Sequence, residues 1–181
     1  MKKIVLGMLL ASSSLTVMAV ENELSSDWFG GINYINLSAD DESDDFSLGG
    51  VVGSLGYKFK SGGDFYLIPE VRVGVGASDG SYSIGEVNVD VKLDRFLALS
   101  LRGQFELDNG VYLFAAPTYM NTELTITAKV RGQKFEETGS TSEFGVGGGA
   151  GYNFTKTVSA EVTYELFDDV DVVGLGLNFH F

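Results

Sequence analysis

The sequence predicts an all-β fold: a closed eight-stranded antiparallel up-and-down transmembrane β-barrel. Three observations carry that prediction. Apolar residues alternate with polar or small ones along most of the chain, helical spacing of apolar residues is absent, and short turns alternate with long polar links. Composition agrees. The 181 residues include 24 Gly, 13 Phe and 8 Tyr, but only 2 Pro and no Cys. Such a balance favours strands and excludes disulfides, Cys-ligated metals and thiol nucleophiles. A formal charge of −13 is wrong for a protein that binds a phosphate backbone, so no nucleic-acid partner is expected.

The first 19 residues stand apart. Lys2 and Lys3 precede the apolar run Ile4–Ala11, and Val17-Met18-Ala19 closes a small-residue stretch. This is the pattern of a secretory signal cleaved after Ala19, and the run is too short to span a bilayer as a helix. The expected organisation is a signal peptide over 1–19 and a barrel domain over 20–181.

Eight strands are expected at 28–37, 46–59, 65–77, 87–105, 111–126, 143–154, 158–167 and 172–181. The last is the clearest, with Val173, Leu175, Leu177, Phe179 and Phe181 on one face. The longest sets Val87, Val89, Val91, Leu93, Leu97, Leu99, Leu101 and Phe105 on one face, interrupted only by Arg95. In the fifth strand the apolar parity moves between Tyr119 and Leu124. Either a bulge near Pro117 shifts the facing or the strand has left the bilayer by then. Short turns at 60–64, 107–110 and 155–157 lie at the end of the barrel that carries both termini. Longer polar links at 38–45, 78–86 and 127–142, with a brief one at 168–171, lie at the other.

Alternation alone also suits a soluble lipocalin-type barrel with its apolar face inward. Two features favour a lipid-facing apolar side. Aromatics (Trp28, Tyr57, Phe59, Phe105, Tyr152 and Phe154 among them) collect at the short-turn end, as in an interfacial girdle, and Tyr34, Tyr119 and Tyr164 recur toward the other end. The polar face is rich in Gly and Ser with few Lys, which suits a narrow interior.

With those residues in view, the chain resembles the OmpA/OmpX-type superfamily of small outer-membrane barrels. The segment Trp28-Phe-Gly-Gly-Ile-Asn-Tyr34 resembles its opening strand, and Ile68-Pro-Glu-Val-Arg72 and Val158-Ser-Ala-Glu-Val-Thr-Tyr164 are similar to its third and seventh. The alternation ending in Phe181 resembles the C-terminal assembly signal of such barrels. The resemblance implies residence in the bacterial outer membrane, insertion by the barrel-assembly machinery, and contact with outer-membrane lipid and lipopolysaccharide. It implies no single activity. Two departures are visible: nothing here resembles the peptidoglycan-binding domain of OmpA, and 20–27 lacks the amphipathic helix of the lipid A palmitoyltransferase.

Candidate chemistry lies mainly on the polar face. Glu70, Arg72, Arg102, Glu161 and Glu165 are expected to point into the lumen at similar depths, where opposite charges must pair. They form either a plug or a charged constriction. The acidic run 40–45 is read as a solvated loop rather than a cation site, since it lacks EF-hand spacing. Gly145–Gly151 continues a strand and opens no helix, so phosphate cradling is rejected. Lys129, Arg131 and Lys134 offer contacts to an anionic partner or simply solvate their loop. The single histidine, His180, sits at the wrong end for a Ser–His site, so no catalytic, cofactor or metal residues are assigned. The expected function is a structural or surface-interaction barrel whose outer loops touch lipopolysaccharide or a surface partner. The alternative is a narrow OmpW-like channel for small or hydrophobic molecules.

Overall fold

The computed structural model describes residues 27–39, 46–84, 87–130 and 133–181. The expected signal segment and the acidic run 40–45 lie outside the described residues. The strands are β1 (Trp28–Ala39), β2 (Phe46–Tyr57), β3 (Phe59–Gly62), β4 (Phe65–Ser78), β5 (Gly80–Ile84), β6 (Val87–Glu106), β7 (Val111–Val130), β8 (Gln133–Asn153), β9 (Val158–Leu166) and β10 (Asp171–His180). Because β3 continues β2 past Lys58 and β5 continues β4 past Asp79, these make eight staves. All pairings are antiparallel, and β4–β6 and β1–β10 close the ring. First and last strands run in register from Phe29↔His180 to Ser38↔Asp171, which leaves neither with an open edge over that span.

Turns at the end carrying Asp27 and Phe181 (hereafter the turn end) are tight. Gly63 (φ +56°) and Gly110 (φ +82°) supply the left-handed backbone that two of them need. Between turn end and loop end, the strand period sorts side chains into two solvents. Leu99 is 51% exposed and Leu175 59%, whereas Ser159 and Ile68 are fully buried. Large aliphatics cover the outside, and charged groups are inside. A lipocalin-type barrel would reverse that order, so the lipid-facing reading holds.

Three expectations need correction. The run from Val87 to Phe105 does not present one apolar face. A register shift between Leu93 and Arg95 makes Asp94 an extra residue, so Val89, Val91 and Leu93 turn inward while Leu97, Leu99 and Leu101 turn outward. No bulge lies near Pro117. β7 and β8 pair without interruption from Val111↔Tyr152 to Val130↔Gln133, and Leu124 packs inward against the buried cluster. What changes along β7 is the chemistry of the interior. Finally, 78–86 and 127–142 are not mere loops: β5 pairs with β6, and β7 and β8 run on as a long hairpin. The result is a sheet of β5, β6, β7 and β8 that continues past the other staves at the loop end.

Candidate functional site

The interior has two storeys. Toward the turn end it is polar and charged. Arg72 on β4 donates two hydrogen bonds to Glu165 on β9, at 2.7 and 2.8 Å. Thr118 on β7 donates to the same carboxylate at 2.9 Å. Arg102 on β6 donates to Glu161 on β9, lies 3.7 Å from Glu70 on β4, and stacks 3.5 Å from the centroid of Phe114. All five of the predicted lumen charges therefore meet in one group, two guanidinium groups against three carboxylates. The partners could not be read from sequence: Glu70 and Arg72 are near neighbours on β4, yet each makes its shortest ion pair with a residue of another strand.

A polar chain continues toward the turn end. Tyr112 donates to Glu161 at 3.1 Å and contacts Ser159 at 3.3 Å, and Ser159 is 3.2 Å from the His180 ring. Sequence inspection passed over Tyr112, Phe114, Thr118 and Ser159. For Tyr112 and Phe114 the signal is the glycine run opposite. A Cβ at Gly145, Gly147, Gly149 or Gly151 would collide with Phe167, Glu165, Phe114 or Tyr112 respectively. Alternate glycines of β8 thus make room for bulky side chains crossing the lumen, which is why the run belongs to a strand and cradles no phosphate.

Toward the loop end the interior becomes apolar. Ile35, Leu37, Leu48, Val52, Val91, Leu93, Phe96, Met120, Phe167 and Val172 form one buried cluster. The enclosed cavity between the storeys, lined by Glu70, Arg72, Ser100 and Arg102 among others, measures about 20 Å³, room for roughly one water.

On the outside, Trp28 and Tyr57 meet edge-on at 5.0 Å, as do Tyr152 and Phe154 at 5.3 Å, while the rings of Tyr57 and Phe59 are tilted at 4.5 Å. With Phe105 they ring the turn end, all but the half-buried Tyr57 well exposed. Val173, Leu175, Leu177, Phe179 and Phe181 lie exposed along the outer face of the last strand. At the loop end, Lys92, Arg95 and Lys134 are each in a salt bridge, with Asp94, Glu123 and Glu136. Arg131 and the side chain of Lys129 lie outside the described residues. No group of His, Cys, Asp and Glu able to hold a metal occurs among the described residues.

Closed ring, lipid-facing aliphatics and aromatic rim describe a membrane barrel, and the family comparison agrees. The family model for the outer membrane protein beta-barrel domain matches residues 5–181. The chain belongs to that family. This outer-membrane barrel is similar in structure to Ail, the attachment invasion locus protein of Yersinia pestis, solved in complex with the heparin analogue sucrose octasulfate. The identity is 17% and the TM-score 0.59, over 85% of this chain and 97% of that one. It is also similar to Neisserial surface protein A, with 13% identity and a TM-score of 0.55, over 86% of this chain and 98% of that one. At those identities the likeness is one of fold. No curated protein matches the chain.

Proposed function

We propose that this outer-membrane barrel is a surface-interaction protein with a closed lumen, whose extended loop-end sheet contacts lipopolysaccharide or a partner outside the cell. The observation that carries the reading is the contrast between the two ends. The turn end has only short connections, below a mid-lumen filled by paired charges, while β5–β8 continue past the other staves. Small barrels of this type place short turns in the periplasm and long connections outside. Binding residues concentrate on connections held by a rigid scaffold. Two structural relatives, one an attachment protein and one a surface protein, support the same direction.

Within this reading Glu70, Arg72, Arg102, Glu161 and Glu165 are a plug rather than a gate. The aromatic rim anchors the barrel at the membrane–water boundary, and the outer face of β10 is what the assembly machinery reads. The cavity at the charge network, with room for roughly one water, weighs against the narrow-channel alternative.

The test is to trim the hairpin at Glu123↔Ser140, a paired position, and join the strands by a two-residue turn. Heat-modifiable migration and membrane fractionation should match the parent, while capture of cells on immobilised extracellular-matrix proteins and on lipopolysaccharide layers should fall. Equal capture by trimmed and parent protein, with steady conductance from the parent in planar bilayers, would move the channel reading to first place.

A further inference from the structure

We propose that the enclosed cavity between the storeys is a binding site for one water molecule, held by Glu70, Arg72, Ser100 and Arg102, which joins the two ion-pair groups of the lumen into one. The inference concerns the barrel interior and is independent of what the loop-end sheet contacts. Pairing of β4 with β6 sets Glu70 directly opposite Ser100, Arg72 opposite Ala98, and Ile68 opposite Arg102. Alternate residues of a strand share a face, so Glu70 and Arg72 point inward together, as do Ser100 and Arg102. Glu70 and Ser100 therefore face each other across the middle, with Arg72 one step toward the loop end and Arg102 one step toward the turn end. All four line the same cavity.

Three of the four leave a polar atom with nothing to bond. Arg72 Nε, Arg102 Nε and Ser100 Oγ are enclosed without a hydrogen-bond partner, although terminal nitrogens of both guanidinium groups are engaged by Glu165 and Glu161. Both arginines are more than nine-tenths buried. The fourth, Glu70, is separated from Arg102 by 3.7 Å, beyond direct hydrogen-bond reach. Orphaned donors in such a place cost their full desolvation unless something inside the cavity accepts from them. The volume of about 20 Å³ exceeds the roughly 10–15 Å³ that one water needs, and a buried water typically makes two to four hydrogen bonds. Water accepts from the two Nε–H groups and donates to Glu70 and to Ser100 Oγ. An anion is disfavoured by three carboxylates set against two guanidinium groups, and a cation by the Nε–H donors. The water also has a structural consequence. Arg72, Glu165 and Thr118 form one hydrogen-bonded group, and Arg102, Glu161 and Tyr112 another. Among the described residues no side-chain hydrogen bond joins the two; the water bridges them through one Nε of each.

The experiment uses the full barrel, with isotopically labelled arginine, in deuterated phosphatidylcholine nanodiscs. Rotating-frame NMR spectra separate dipolar transfer from chemical exchange by sign. The Nε–H signals of Arg72 and Arg102, assigned through bonds, should both show dipolar transfer from water. Exchange peaks alone, or no transfer at either nitrogen, would overturn the site. Urea unfolding gives a second readout in which the two cases have opposite signs. With the water present, Ser100→Ala removes one of its partners and should lower the unfolding midpoint by at least about 0.3 M. Ser100→Val, which takes the water's space, should lower it further. In a dry cavity Ser100→Ala would instead delete an unpaired buried hydroxyl and raise the midpoint. Alanine is smaller than serine and cannot overpack, so the alanine variant decides even if the valine variant strains the wall or fails to fold. An unchanged or raised midpoint for Ser100→Ala, with folding checked by heat-modifiable migration, would overturn the proposal.

Discussion

Replacing Arg102 by Met tests whether the lumen charges hold the barrel together. Arg102 is 2% exposed and holds two carboxylates at once: Glu161, by a hydrogen bond, and Glu70, at 3.7 Å. The side chains of those acids are 4% and 8% exposed. Met fills much of the arginine stem volume and keeps contact with Phe114, so the loss is chiefly electrostatic. Glu161 would retain its hydrogen bond from Tyr112 at 3.1 Å. The other lumen guanidinium, Arg72, is already engaged by Glu165 at 2.7 and 2.8 Å. Two carboxylates would thus stay buried with their desolvation uncompensated, a loss of about 3–5 kcal/mol. The triple replacement Arg102→Met, Glu70→Leu and Glu161→Leu removes charge and partner together and should recover most of that stability, since apolar substitutes for a buried ion pair are commonly neutral or better. Urea unfolding in lipid vesicles, followed through the fluorescence of the single tryptophan, Trp28, reads both. A single variant within about 1 kcal/mol of the parent, or a triple variant no more stable than the single, would refute the uncompensated-charge reasoning.

Other expectations follow from the same geometry. Leu99→Lys, on the lipid face, should cost about 2–4 kcal/mol if it lies near the bilayer midplane, whereas Thr127→Lys in the protruding sheet should be nearly silent; a reversed ranking in the same unfolding assay would displace the membrane boundary. Deleting Phe181 should leave export intact but reduce the folded, heat-modifiable fraction in the outer membrane, and an unchanged fraction would exclude the last strand as the assembly signal. The unmodified barrel should conduct little in planar bilayers, and Arg102→Ala with Glu70→Ala should raise conductance by opening space between the storeys. Burial, followed by the nearby Asp169 and Asp168 charges, raises the Glu143 carboxyl above its ordinary pKa. A raised folded value favours the fold while the group is protonated, and that contribution is lost as pH rises through it. Glu143→Gln should therefore stabilise by under about 1 kcal/mol at neutral pH, with the gain vanishing below about pH 4; a gain that grows on acidification would contradict the assignment.

How far the sequence discloses this molecule depends on what solvates each face. The last strand is legible because lipid meets Val173 through Phe181 while small or polar residues meet the lumen. The slip in β6 is hidden for a physical reason. Val89, Val91 and Leu93 face an apolar interior and Leu97, Leu99 and Leu101 face lipid, so a one-residue change of facing at Asp94 leaves the apolar pattern unbroken. In β7 the reverse holds: an unbroken facing looks like a break, because inward positions change from Tyr112 and Thr118 to Met120 and Leu124. The outer half of β8 is exposed on both faces and carries no apolar alternation, so its Thr, Ser and Glu residues read as loop. The lumen charges follow from facing alone, but the pairing of Arg72 with Glu165 across the barrel depends on how the staves stagger, which no local pattern encodes.

The two storeys of the interior reflect the change of solvent along the barrel axis. Within the bilayer, acyl chains solvate aliphatic side chains as well as another protein surface does, so packing apolar groups inward gains little relative to leaving them outside. Charges placed in the lumen are held there because lipid excludes them, and they bind the staves across the axis through Arg72–Glu165 and Arg102–Glu161. Once the sheet rises past the bilayer, water returns outside and burial of aliphatics becomes favourable again. Asp94 is inserted where the inward side of β6 passes from the polar storey to the apolar one. The bulge turns Arg95 outward, where it pairs with Glu123 at 3.2 Å, and turns Leu93, Val91 and Val89 inward. Without that extra residue the lipid-facing parity of Leu97, Leu99 and Leu101 would continue upward and leave the three aliphatics exposed to water. The bulge thus lets one strand serve both solvents, and its inward aliphatics join the cluster that Ile35, Val52 and Val172 of the other staves complete.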